Sequence, residues 1–259
     1  MLWEREYSAS NAAQICRELV EAWEVEENKV FVLRAAEPIG NPRNVFESLL
    51  PRLGTVIPLS EDVTIGDRDQ QLKGQIWTEV RYDPRFQDAY RHSANAQPLH
   101  TDGSYYPNFP NATLMLCVAN AMEGGETVFL DPADAVEVLR EKQPDLLDRL
   151  RAPLAHSRSG DTRVEPVIAG SEGHYLVNWN YYCVDRDAAD GAGGLADAFH
   201  EFLNSDADLR RRLLAVKLRP GDAVTWKDRE MLHGRNGFKA SAAGERFLWK
   251  CSLDIGKFG

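Results

Sequence analysis

Residues 113–130 read TLMLCVANAMEGGETVFL, and the class of fold turns on them. Thr113 to Asn120 is one short apolar run and Thr127 to Leu130 another, with a turn between them, which suits strands better than helices. The same texture spreads outward from about Gln75: Ile76 to Tyr82, Tyr175 to Trp179, Leu214 to Leu218, Ala223 to Trp226 and Phe247 to Leu253 all read as short strands. Many short strands predict a sandwich or barrel. Two helical insertions interrupt them, one opening at Asp131-Pro132 and running towards Leu150, the other from about Leu195 to Leu213.

Upstream of Gln75 the pattern changes. Asn11 or Ser10 is positioned to cap a helix with Ala12, Ile15, Leu19 and Trp23 at helical spacing, and the strand-like Val30-Phe31-Val32-Leu33 follows. Asn41-Pro42 opens a second helix carrying Val45, Phe46, Leu49 and Leu50. Residues 1–74 are therefore expected to be a mostly helical flank and residues 75–259 the β core. No linker-like composition divides them, so one domain over 1–259 is expected. Asp185 to Gly194, rich in Asp, Ala and Gly, reads as a mobile loop.

With 43% hydrophobic and 27% charged residues the chain has the balance of an ordinary folded protein. No apolar run approaches the ~20 residues of a membrane span, and the start, MLWERE, lacks a signal-peptide layout. A cytoplasmic protein with no membrane partner is expected. The net charge of -10 argues against nucleic acid, whose phosphates draw on clustered Lys and Arg. Arg210-Arg211-Arg212 reads as a solvated helix face shared with Asp206 and Asp208. The four cysteines are scattered without a CxxC pair and read as core residues.

One segment carries metal chemistry. In Gln97-Pro98-Leu99-His100-Thr101-Asp102-Gly103 an imidazole and a carboxylate stand two residues apart, on one face of an extended chain. Downstream, Ala223 to Trp226 and a short loop deliver His233. Two His and one carboxylate leave half an octahedron open, which suits iron(II) working with a bidentate co-substrate and dioxygen. An HxD pair alone is weak evidence. His92, His156, His174 and His200 lack an equivalent acid and read as surface or locally hydrogen-bonded imidazoles. The discriminating residue is Arg246, which opens an alternating strand shortly after His233 and shares a face with Leu248 and Lys250. A metal-bound 2-oxo acid needs a permanent bidentate cation at its far carboxylate, and arginine supplies one.

With these residues assembled, the chain resembles the taurine dioxygenase and clavaminate synthase-like branch of the Fe(II)/2-oxoglutarate oxygenases. The resemblance runs from about Gln75 to the C-terminus and rests on His100-Thr101-Asp102, Gly124-Gly125-Glu126-Thr127, Trp226 to His233, and Arg246. It implies a double-stranded β-helix (jelly roll) with helical insertions, iron held by His100, Asp102 and His233, and the distal carboxylate of 2-oxoglutarate held by Thr127 and Arg246. It implies consumption of O2 with release of succinate and carbon dioxide. Lys250 falls where this branch often carries a substrate-binding arginine. Related halogenases replace the acid at the Asp102 position by a small residue, so its presence implies hydroxylation. The ligand segments are also similar to those of stand-alone enzymes acting on free amino acids.

For a small-molecule substrate, the expected walls are Gly103 to Asn111, with Tyr105, Tyr106 and Asn108, and Val177 to Tyr182, with Trp179 and Asn180. Arg81 is a further candidate for a substrate carboxylate, against a surface pair with Glu79. Amides, phenols and a lysine suit an amino acid or derivative better than a sterol. A zinc hydrolase could use the same three ligands, and a non-catalytic jelly-roll binding module is the bland alternative. Hydrolysis has no use for Arg246 and Thr127.

Overall fold

The computed structural model describes residues 2–59, 63–65, 68–70, 73–87, 89–108 and 110–258. Among them, eleven strands build two sheets: β1 (Leu2–Tyr7), β2 (Val30–Ala35), β3 (Gly54–Ile57), β4 (Thr78–Arg81), β5 (Gln97–His100), β6 (Ala112–Ala119), β7 (Thr127–Leu130), β8 (Leu214–Val216), β9 (Ala223–Lys227), β10 (Leu232–Arg235) and β11 (Phe247–Ile255). The helices are α1 (Ala12–Trp23), α2 (Pro42–Phe46), α3 (Leu50–Leu53), α4 (Pro132–Lys142), α5 (Pro144–Leu150), α6 (Ala192–Ser205) and α7 (Ala207–Arg212). The major sheet runs β1-β2-β9-β6-β11-β3, with β4 also on β11, and the minor sheet runs β8-β7-β10-β5.

Strand alternation dictates the layering. Val30 and Val32 point between the sheets and join Cys117, Phe129, Val216, Val224, Trp226 and Leu248 in the inner core. Their neighbours Phe31 and Leu33 point the other way, onto Ile15, Leu19 and Trp23 of α1 and Phe46 of α2. On the far side of the minor sheet, Leu99, Val128 and Leu130 pack under Val136 and Leu139 of α4 and Phe199 of α6. Sheets covered on both faces explain why strands such as 112–119 read as nearly continuous apolar runs.

The jelly-roll architecture expected from the resemblance is present. The N-terminal region is less helical than expected, because β1 and β2 form a parallel pair inside the major sheet, Leu2 facing Val30 through Tyr7 facing Ala35. Only Trp3 and Tyr7 of β1 are buried, so its single covered face left little pattern to read. The second helix is split into α2 and α3, and both insertions break into two helices, at Gln143-Pro144 and at Asp206. In each insertion the break residue starts the next helix; Asp206 caps α7 through Asp208 N and Leu209 N. Asn11 precedes α1 but caps nothing with its side chain, which accepts from Ser8 N instead. Arg211 pairs with Asp208, and Arg212 pairs across to Asp134 and Glu137 on α4. All four cysteines are buried and none is in a disulfide.

Candidate active site

The register of the minor sheet assembles the site. β10 and β5 are antiparallel with His233 directly opposite His100, and β7 sets Thr127 opposite Arg235 on the other edge of β10. Their imidazole centroids lie 4.2 Å apart. Asp102 follows on the turn after β5, anchored by Thr101, whose backbone and hydroxyl both donate to the carbonyl of Trp179. Asp102 Oδ1 is 3.9 Å from His100 Nε2, and Oδ2 is 3.7 Å from His233 Nε2. One ligating atom from each of the three residues lies within 4.8 Å of the others.

The protonation states suit a divalent cation. His100 Nδ1 donates to the carbonyl of Pro98 at 2.9 Å, which leaves Nε2 as the acceptor, and the Gln97 amide sits 3.1 Å from it. Burial lowers the pKa of His100, and burial followed by the neighbouring His100 lowers that of His233 further. Both rings are therefore held towards the neutral form, with the Nε2 lone pair of His100 facing the Gln97 amide. Burial alone would raise the Asp102 carboxyl, but the Lys250 ammonium, 2.6 Å from Oδ2, together with the His233 and His100 rings, holds the group well below the carboxylate range. Thr113 Oγ1 donates to the same oxygen at 2.9 Å. Two neutral imidazoles and one oriented carboxylate match the donor set of a mononuclear iron(II) centre.

Beside this triad lies the Arg246 guanidinium, over the Phe238 ring and 5.4 Å from its centroid. Arg246 is 3% exposed, and no carboxylate among the described residues is in ion-pair range of it. Burial, then the neighbouring charge of Arg235, pushes its pKa down to about 9, and burial pushes that of Arg235 down to about 10. Arg235 is committed to the carbonyls of Tyr90, Ser93 and Asn95 and so ties that loop to β10. Gly125, at φ +76°, admits the Arg246 side chain: a Cβ there would stand 3.3 Å from Nε. Gly124 is required for a different reason, since its Cβ would lie 2.1 Å from the carbonyl oxygen of Gly237. A buried guanidinium with no carboxylate of its own among the described residues fits the distal carboxylate of a 2-oxo diacid.

A cavity of about 790 Å³ opens over these groups, lined by His100, Asp102, His233, Thr127, Arg246 and Lys250 together with Tyr105, Tyr106, Asn180 and Tyr182. Across its mouth the Tyr90 and Tyr182 hydroxyls are 2.6 Å apart. Three expected wall residues lie elsewhere. Trp179 is fully buried against Phe199, because the alternation that brings its carbonyl to Thr101 turns its ring into the core. Asn108 is exposed and off the cavity, and Arg81 packs over the Phe247 ring outside it, at 5.3 Å, without an ion pair to Glu79. Of the other histidines, His92 bonds the Arg81 carbonyl, His174 and His200 are at least partly exposed, and His156 is not at the surface but fully buried in the core.

Sequence reading missed Thr113, Arg235 and Asp228. Thr113 sits in an apolar strand with nothing to single it out. Arg235 was legible in principle, two residues past His233. Asp228 Oδ1, buried, accepts from Trp226 Nε1 at 3.0 Å and from Asp102 N at 3.3 Å.

The profile of the taurine catabolism dioxygenase TauD, TfdA family matches residues 5–252, so the likeness begins well before Gln75. A uridine-5'-phosphate dioxygenase of Amycolatopsis sp is 28% identical over 182 residues, covering 66% of this chain and 66% of that protein. One of Streptomyces sp is 31% identical over 170 residues, covering 61% of each. The matched stretch thus spans just under two thirds of these relatives. Among solved structures, an asparagine oxygenase in complex with Fe(II), 3-hydroxyasparagine and succinate superposes with a TM-score of 0.70 at 16% identity, over 93% of this chain and 80% of that one. At that identity the likeness speaks for the fold.

Proposed function

The chain belongs to the taurine catabolism dioxygenase TauD, TfdA family, and from that premise we propose that it is an iron(II)- and 2-oxoglutarate-dependent oxygenase that hydroxylates a C–H bond of a small polar substrate. The observation that carries the reading is Arg246, buried beside a His-Asp-His triad with no acid among the described residues to neutralise it. Zinc-dependent hydrolysis has no need of such a group.

In this reading His100, Asp102 and His233 hold iron(II), which with 2-oxoglutarate and dioxygen supplies the oxidising power and releases succinate and carbon dioxide. Arg246 takes the distal carboxylate of the co-substrate as a bidentate partner, and the hydroxyl of Thr127 donates to the same group. Thr113 and Lys250 hold the Asp102 carboxylate ionised and fixed in direction. The apolar inner core behind the triad excludes water from one side, and Tyr90 and Tyr182 narrow the mouth on the other.

The substrate lies against Tyr105, Tyr106, Asn180 and Lys250, and its position relative to the triad decides which C–H is attacked. A lysine beside amides and phenols suits a molecule bearing a carboxylate or phosphate. A free amino acid or derivative fits that description, and a nucleoside monophosphate is a second candidate, supported by relatives named as uridine-5'-phosphate dioxygenases. The test is a screen of amino acids and nucleoside monophosphates with iron(II) and 2-oxoglutarate. Mass gain of one oxygen in one compound, matched by succinate, supports the reading. No succinate from any mixture, in protein shown to carry iron, counts against it.

A further inference from the structure

We infer that Asp228 is a positioning residue that aims the His233 and Asp102 ligands together through one carboxylate oxygen. The inference rests on the reading of His100, Asp102 and His233 as a metal site.

The two imidazoles differ in what lies behind them. His100 Nδ1 donates to the carbonyl of Pro98 at 2.9 Å, so its ring orientation is set by its own strand. His233 Nδ1 is buried without a hydrogen bond among the described residues, and Asp228 Oδ1 stands 3.5 Å from it. A ligating imidazole whose far nitrogen lacks an acceptor is free to rotate and to choose the wrong tautomer, which is why metal-bound histidines carry such a partner.

Asp228 is built into that place. It is fully buried, opens the short helical turn 228–230, and its backbone N–H is fixed on the carbonyl of Asn111. The Trp226 indole N–H holds Oδ1 at 3.0 Å, while the same indole packs against the His233 ring with centroids 4.5 Å apart. The Asp102 backbone N–H reaches this oxygen too, at 3.3 Å. One oxygen atom thus touches the main chain of one ligand and faces the ring of another, from segments more than a hundred residues apart in sequence. Tightening the Nδ1–H to Oδ1 contact directs His233 Nε2 at the point Asp102 already faces.

The experiment compares the parent with Asp228→Ala, Asp228→Asn and Trp226→Phe, using Mn(II) as the probe and loss of the free-ion EPR signal as the readout. Removal of the acceptor weakens Mn(II) binding by roughly 10- to 100-fold, the usual effect of losing a partner behind a metal-bound imidazole. Asparagine keeps an acceptor oxygen in the same place and restores affinity to within about threefold of the parent. Trp226→Phe frees the carboxylate without removing it and gives an intermediate loss, which keeps the test open should the alanine variant not fold. With Co(II) bound, the paramagnetically shifted Nδ1–H resonance of one histidine moves in Asp228→Ala and returns in Asp228→Asn, a change that a general packing defect does not produce. Equal Mn(II) affinity in the parent and a folded alanine variant, or equal loss in alanine and asparagine, overturns the inference alone. A parent that binds no Mn(II) or Fe(II) overturns the metal-site reading and the inference with it.

Discussion

Replacing Arg246 by methionine, which keeps most of the volume and removes the charge, should move fold stability and co-substrate affinity in opposite directions. In the unliganded protein the guanidinium is buried without an acid among the described residues, and its pKa falls from 12.5 to about 9. Because the folded state binds this proton less tightly than the unfolded chain, the cost is fully present below pH 9 and is relieved as the pH climbs towards 12.5. At about 1.4 kcal/mol for each tenfold the drop corresponds to a burden of roughly 5 kcal/mol on the unliganded fold. Arg246→Met should therefore melt no lower than the parent, and by this sum somewhat higher. Bound 2-oxoglutarate would lose its buried counter-charge, and breaking such a pair costs about 3–5 kcal/mol. That predicts a rise in the dissociation constant of at least roughly 10²-fold. Arg246→Lys keeps the charge but gives up the fork, so its loss should be about 10- to 100-fold, the worth of one charge-assisted hydrogen bond. Anaerobic calorimetric titration of the iron(II)-loaded protein with 2-oxoglutarate, beside thermal melts of the unliganded protein, measures both quantities. Parent-like affinity in Arg246→Met, or a melt several degrees below the parent, would refute the reasoning.

Other perturbations separate the remaining roles. Lys250→Met removes the ammonium 2.6 Å from Asp102 Oδ2, so it should weaken iron(II) binding. In iron-saturated protein it should still raise the KM of an identified substrate about 10- to 100-fold by removing one charged hydrogen bond, and unchanged iron(II) affinity would mean that Lys250 does not hold Asp102. Gly125→Ala forces a side chain into φ +76° and within 3.3 Å of Arg246 Nε. It should cost about 1–2 kcal/mol in a urea titration, as left-handed backbone does for other residues, and should raise the 2-oxoglutarate requirement; an unaffected requirement would mean that Arg246 has room to spare. His156 is buried and its pKa is pushed by burial down to about 4. Its folded value lies below the unfolded 6.5, so stability is lost as the pH falls from 6.5 to 4, by roughly 3 kcal/mol from this group. His156→Leu should flatten that slope in urea titrations at pH 7 and pH 4.5, and parallel slopes would contradict the assignment.

The sequence disclosed what strand alternation and charge spacing can encode. His100 and Asp102 were legible as a pair because an extended chain puts alternate residues on one side. Arg246 was legible because a guanidinium on a strand so soon after His233 has to face the same layer. What alternation cannot encode is the partner across the sheets: Thr113 and Lys250 meet on Asp102 only because β6 and β11 bring Met115 opposite Lys250. Trp179 was misplaced because its backbone, rather than its ring, serves the site. β1 went unseen because an edge strand with two buried residues has almost no periodicity. Asp228 was invisible for a related reason: an acid beside a tryptophan in a turn looks like an ordinary cap until the fold delivers a histidine to it.

The central claim is that the triad and Arg246 together hold one iron(II) and one 2-oxoglutarate, and anaerobic titration followed in the visible range tests it most directly. The account predicts that adding 2-oxoglutarate to the iron(II)-loaded chain raises a weak metal-to-ligand charge-transfer band that saturates at one co-substrate per chain. A protein that binds iron(II) yet develops no such band at saturating 2-oxoglutarate would contradict it.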